Sequence, residues 1–297
     1  MKTVSKKGLI FALLAASLYA LNSPFSKLLL SGLSPTLLAG FLYVGAGVGI
    51  LAVYLIKKAV IKQDDEVSLA KNDLKYVLLM IALDIIAPIL LMFGLNMTTA
   101  ENTALLNNFE IVATAIIALV VFKEKISARL WVGILFITLA CGLLSFESLN
   151  GFVFSGGSIL VILACVCWGI ENNCTRKLSQ KDPLQIVIVK GLCSGVGSLI
   201  IGFCIGERVN DLLLVLFTLI LGFFAYGLSI FFYVSAQRRL GAARTSAYYA
   251  IAPFIGVIIS LIIFMQLPEY FFFIALAFMI VGAWLCSEDK PIFKKKK

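Results

Sequence analysis

Histidine is missing from this chain altogether, and charge is scarce: 14% of its 297 residues are Asp, Glu, Lys or Arg. The lack of histidine excludes Ser-His-Asp hydrolases, HExxH metalloproteases and histidine-ligated haem proteins. No GxxxxGK[ST] run occurs, so the chain does not drive pumping by hydrolysing ATP itself. The seven cysteines, Cys141, Cys165, Cys167, Cys174, Cys193, Cys204 and Cys286, contain no CxxC pair and are odd in number. They read as small buried apolar side chains, not as a disulfide framework or a zinc site. No cofactor and no metal is expected. Long polar stretches are also lacking: the longest polar connection, Lys57 to Asp73, leaves no room for a soluble domain.

What fills the chain is apolar sequence, 61% by residue count. Stretches of about 20 apolar residues recur from end to end, each long enough to cross a hydrocarbon core of about 30 Å. Ten spans are predicted: 8–30, 34–57, 74–97, 100–122, 127–146, 155–178, 183–206, 210–237, 241–266 and 269–287. Lys2, Lys6 and Lys7 before an apolar run resemble a signal peptide, but no small-residue cleavage site follows, so the first span is read as retained.

The spans repeat. From Leu91 to Ser145 the chain aligns without gaps on Tyr233 to Ser287, 142 residues later; Thr103-Ala104 falls on Thr245-Ser246. Upstream the offset is 149, which sets Tyr19 on Trp168 and Lys27 on Arg176. Each half, 1–150 and 151–297, then holds five spans, and an odd number makes the second half start from the opposite side. Inverted repeats of this kind mark secondary transporters, because two related packings supply two access states.

Positive charge gives the orientation. With the N-terminus in the cytoplasm, 22 of the 25 Lys and Arg residues fall on cytoplasmic ends, loops and the basic tail. Lys27 and Arg208 fall outside, and Lys190 lies within a span. The formal charge of +9 is therefore a topology signal facing anionic lipid, with no nucleic-acid partner implied. The expected location is a bacterial-type inner membrane, with both termini cytoplasmic.

Charges at membrane depth cost about 2.5–3.5 kcal/mol on insertion scales, so those retained are candidates for function. Asp84 and Glu110 fall near the middle of the third and fourth spans with no evident basic partner at their depth. Asn107 and Thr114 accompany Glu110, and Pro88 lies one turn beyond Asp84. Glu171 and Asn172 form a polar run in the sixth span, with Arg176 and then Lys190 as candidate ion-pair partners of Glu171. Either acid, Asp84 or Glu110, would serve as a proton carrier or as the counter-charge of a substrate ammonium. Tyr19, Trp168, Tyr226 and Tyr249 offer aromatic faces for such a cation, although packing explains any one of them equally well. Lys27 and Arg176, as repeat mates near opposite faces, are candidate gating charges, and Lys190 is a candidate anchoring or paired lysine. Gly45-x-x-x-Gly49 and Gly191-x-x-x-Gly195 read as sites of close helix contact. Pro24, Pro88 and Pro253 predict bends within their spans.

The motif residues are soft but extensive: Asn96–Leu106 (NMTTAENTALL), Val121–Ser127 (VFKEKIS) and Gly133–Gly142, with counterparts at Gly241–Ala252 followed by Pro253, Phe264–Glu269 and Ala275–Gly282. With these the chain resembles the drug/metabolite transporter superfamily, as a ten-helix protein with two EamA-type halves. The first half departs from that pattern by carrying Ile111 where a proline is usual. The resemblance implies an all-α integral membrane fold of two inverted five-helix repeats. It also implies a cavity lined by spans one, three and four and their mates six, eight and nine, with five and ten peripheral. The implied function is secondary transport, by export, of a small metabolite such as an amino acid or an amine, with protons as a second candidate partner. A channel, a non-transporting sensor and an integral membrane enzyme are the other classes open to such a chain. Polar residues spread over several depths argue against the enzyme.

Overall fold

The computed structural model describes residues 6–60, 66–123, 127–148, 153–240, 245 and 248–287. Span one is α1 (Lys6–Tyr19) and α2 (Asn22–Leu29); span two is α3 (Pro35–Val60); span three is α4 (Leu74–Met97). Span four is α5 (Ala100–Leu106) and α6 (Phe109–Phe122), and span five is α7 (Ala128–Leu144). The second half gives α8 (Gly156–Leu178), α9 (Pro183–Cys204), and then α10 (Leu212–Gly222) running through a π-helical segment, Phe223–Leu228, into α11 (Ser229–Leu240). Spans nine and ten end in α12 (Ala252–Phe264) and α13 (Tyr270–Ser287). Seven spans are long and apolar enough to cross a membrane as continuous segments, and three shorter apolar helices, α7, α12 and α13, bring the number to ten. Between α7 and α8 the backbone forms one short antiparallel ladder, pairing Phe146 with Phe154.

Several spans expected as single helices are interrupted, and the interruptions have local causes. Pro24 has no N–H to give the Ala20 carbonyl four residues back, and the helix breaks there between α1 and α2. Pro88 likewise strips a partner from the Asp84 carbonyl inside α4, and Pro253 does so for Tyr249 at the start of α12. Span four breaks without proline. Around Asn107-Asn108 the ladder tightens to three-residue bonds: Asn108 N to Leu105 O at 3.2 Å, Glu110 N to Asn107 O at 3.2 Å, Ile111 N to Asn108 O at 3.1 Å.

The repeat is visible in the backbone. Only two non-glycine residues among those described have positive φ, Lys123 at 54° and Met265 at 50°. They stand 142 residues apart and cap the equivalent helices α6 and α12 in the left-handed conformation. Packing crosses between the halves: α3 lies on α9, α4 on α8, α7 on α13 and α1 on α11. The two repeats are thus interleaved in space. Glycines permit the α3–α9 contact, since a Cβ on Gly191 would fall 2.4 Å from the Gly47 nitrogen.

Polar contacts fasten this pair at both ends. On the face where span one ends, the Glu207 carboxylate accepts from Leu37 N at 2.9 Å and Thr36 N at 3.4 Å, at the N-terminus of α3. On the opposite face the loop after α3 is stitched to the N-terminus of α9. There Asp182 N donates to Val67 O at 2.9 Å, Leu69 N to Gln185 Oε1 at 3.1 Å, and Gln185 Nε2 to Ser68 Oγ at 3.1 Å. Each clasp joins the loop after the second span of one half to the second span of the other.

Candidate binding cavity

A cavity of about 570 Å³, open mouth included, is bounded by Tyr19, Tyr43, Glu110, Trp168, Glu171, Asn172, Thr175, Lys190, Tyr226, Ile230, Tyr233, Val234 and Tyr249. Tyr19, Glu110 and Tyr249 stand beside the helix breaks, all on the side facing the N-terminus. Beyond the breaks, spans one, four and nine close together. A Cβ on Gly256 would meet the Ala104 Cβ and the Ala20 oxygen, each at 3.2 Å. The cavity therefore has a tightly packed end at Ala20, Ala104 and Gly256. Of the expected lining, spans one, four, six, eight and nine border the cavity, but span three does not; spans two and seven contribute in addition, through Tyr43 and Lys190.

Glu110 takes its position from the tightened turn after Asn107. Its Oε1 accepts from Asn172 Nδ2 at 2.5 Å, and the same amide reaches Thr114 Oγ1 at 3.4 Å. The neighbouring Asn173 side chain holds the Gly169 and Thr114 carbonyls at 2.8 and 3.3 Å, which fixes α8 against α6. No ion pair reaches Glu110 among the described residues.

Asp84 corrects one expectation. It was read as lacking a basic partner, yet Lys190 Nζ lies 3.1 Å from Asp84 Oδ2 and 3.1 Å from Glu171 Oε1. Sequence reasoning missed the contact because Lys190 arrives from a span 106 residues away. Asp84 is fully buried and sits behind Lys190, outside the cavity wall. Its other oxygen accepts from the Tyr43 hydroxyl at 3.0 Å. The Asp84–Lys190 contact is an ion pair without the direction of a good hydrogen bond. Glu171 also accepts from the Thr175 hydroxyl one turn on. Burying three charges is tolerable here because each has an opposite partner in reach.

Five tyrosines from spans two, eight, one and nine make one continuous arc. Ring centroids are 5.0 Å apart for Tyr43–Tyr226, 5.9 Å for Tyr226–Tyr19, 5.7 Å for Tyr19–Tyr249 and 4.8 Å for Tyr249–Tyr233. Tyr226 lies in the π-helical segment, a feature frequent at functional sites. Tyr43 and Tyr233 were not anticipated. Tyr233 was recoverable, being two turns from Tyr226; nothing local pointed to Tyr43.

The remaining candidates lie elsewhere. Asn107 is buried beside the Cys165 thiol, with Sγ 3.9 Å from its Oδ1. Lys27 is no partner of the cavity: its ammonium donates to the carbonyls of Leu95 at 2.6 Å, Asn96 at 3.2 Å and Thr98 at 2.6 Å, capping the C-terminus of α4. Its repeat mate Arg176 is exposed near the end of α8. The matching cap on that end comes from Arg238, which donates to the carbonyls of Ser179, Gln180 and Lys181 and pairs with Glu66 at 2.7 Å. Lys190, expected as an anchoring or paired lysine and as a candidate partner of Glu171, does pair with Glu171 and is also part of the cavity wall. Among the described residues no group of acidic and cysteine side chains is arranged to hold a metal ion.

Comparison with known proteins agrees with this architecture. The sequence model of the EamA-like transporter family matches twice, over residues 6–146 and 155–287. An uncharacterized transporter of Methanothermobacter thermautotrophicus is 26% identical over 272 residues, which is 86% of this chain and 79% of that protein. The uncharacterized transporter YyaM of Bacillus subtilis is 23% identical over 232 residues, 73% of each. One crystal structure at 16% identity superposes with a TM-score of 0.65 over 94% of this chain and 95% of its own, a likeness of fold.

Proposed function

Since the chain belongs to the EamA-like transporter family, we propose that it is a secondary carrier exporting a small metabolite with an amino group, by alternating access around the tyrosine-lined cavity. The two sequence halves, 1–150 and 151–297, supply the repeats that exchange roles between access states. Both termini face the cytoplasm of a bacterial-type inner membrane, so the side of the cavity that holds Glu171 and Thr175 faces inward and the Ala20–Ala104–Gly256 contact closes the outer side. Positive charge on the inner loops supports this orientation.

One observation carries the reading: Glu110, a carboxylate at membrane depth, faces a small aromatic cavity and is held by an amide alone among the described residues. Desolvated carboxylates without a counter-ion are costly, and a substrate ammonium supplies the missing charge while tyrosine faces surround it. Asp84 and Glu171 are committed to Lys190, which leaves Glu110 as the substrate's acid. The test is counterflow in liposomes with wild type and Glu110→Gln. Loss of counterflow at every pH, with melting temperature unchanged, is expected for an ammonium counter-charge. Loss of the pH-gradient response with exchange preserved would make Glu110 a proton carrier instead. Undiminished transport in Glu110→Gln would return the residue to structure.

A further inference from the structure

The Asp84–Lys190–Glu171 trio has a use beyond mutual neutralisation. Lys190 stands between a carboxylate the cavity never reaches, Asp84, and one that the cavity does reach, Glu171, at 3.1 Å from each. Asp84 is fixed by the Tyr43 hydroxyl, and Glu171 is fixed by Thr175. Lys190 is thus tethered at its inner side and presents a cation to the acid that faces the substrate space. The described residues in and behind the cavity wall hold three carboxyl groups, Asp84, Glu110 and Glu171, against this one ammonium.

We propose that Lys190 is a built-in substitute for a second substrate cation, and that it restricts this carrier to monovalent organic cations bearing no carboxylate. The proposal rests on the carrier reading above and narrows its cargo. A substrate carboxylate has no cation free to receive it: drawing Lys190 toward the anion strips Glu171 of its partner in a buried site. A substrate with two ammonium groups finds only Glu110 uncommitted, because Glu171 is already occupied. A single ammonium meets Glu110 and the tyrosine arc without disturbing the trio. Asn172, which bonds Glu110 of α6, adjoins Glu171 in α8, so neighbouring positions of α8 serve both acids.

The test uses full-length protein purified in detergent and four matched probes: phenethylamine, phenylalanine, phenylacetate and 1,5-diaminopentane. Equilibrium binding and thermal stabilisation are both measured. Wild type is expected to bind phenethylamine at least tenfold more tightly than phenylalanine or the diamine, and phenylacetate not at all. In Lys190→Met, with Asp84 and Glu171 both released, the diamine should gain at least tenfold relative to phenethylamine; Lys190→Arg should keep the wild-type order. A structural lysine, when replaced, would instead weaken alike every probe that binds. Should Lys190→Met fail to fold, the wild-type order decides. Phenylalanine or phenylacetate binding as tightly as phenethylamine, or no binding of phenethylamine, overturns the proposal. Glu110-dependent counterflow of phenylalanine would sink the cation restriction and leave the carrier standing. Loss of Glu110 dependence for every transported probe would instead sink the carrier reading's use of that acid.

Discussion

At the scale of single residues, the cavity is organised by side chains that hold other side chains. Asn172 positions the Glu110 carboxylate through one amide hydrogen at 2.5 Å. Asn172→Ala is expected to weaken substrate affinity about tenfold, the loss of one bond to a charged group being worth roughly 1.5 kcal/mol or more, while melting temperature changes little; a binding titration checks it. Tyr43→Phe should behave the other way round. Its hydroxyl is committed to Asp84 in a fully buried setting, so the variant should lose about 1.5–3 kcal/mol of stability yet keep probe affinity within a few-fold, a split that paired thermal-shift and binding measurements resolve. Individual acids were legible in the sequence because charge at membrane depth is conspicuous wherever it occurs. Their pairing was not: whether Asp84 has a cation depends on how α4 and α9 are set against each other, and no local pattern encodes that.

At the scale of elements, breaks and caps decide where the helices stop. The prolines forecast two of the discontinuities, because a missing N–H is a local fact. The break at Asn107-Asn108 and the π-helical turn around Tyr226 have no such signature and arise where packing competes with the ladder. Among the described residues, cations cap the ends of α4 (Lys27), α8 (Arg238) and α13 (Arg129, whose guanidinium donates to the Leu285 and Trp284 carbonyls at 3.1 and 3.2 Å). Such carbonyls have no partner within their own helix, and a cation suits the negative end of the helix dipole. Lys27→Met should therefore lower stability by about 1.5 kcal/mol or more without altering cavity affinity, read by thermal unfolding in detergent. Glycines give a paired contrast. Gly191→Ala drives a methyl into the α3 backbone and should cost about 1–3 kcal/mol, whereas Gly142, with nothing within 4 Å of a Cβ, should accept alanine with stability unchanged or slightly raised.

For the whole molecule, the inverted arrangement was legible because it is written twice in the sequence, and the same offset of 142 returns in the backbone at Lys123 and Met265. Chemistry breaks the symmetry that geometry keeps: at that offset Asn107 lies over Tyr249, so one half brings an amide where the other brings a phenol. The proposed orientation has a direct check. In a cysteine-free background, Ser34→Cys should react with an impermeant thiol reagent in intact cells and Ser68→Cys should not; the reverse pattern would invert the assignment. The two clasps on α3 and α9 carry a mechanical consequence. If the chain works by the proposed alternating access, α3 and α9, clasped to each other at both ends, would serve as an axle around which the remaining spans tilt, and their ends would change little between access states. A short bifunctional thiol reagent joining Ser68→Cys to Gln185→Cys should then leave transport intact, while one joining Ala20→Cys to Gly256→Cys should stop it. If the first linkage also arrests transport, the pivot lies elsewhere; if it does not, this carrier turns about its most tightly packed seam.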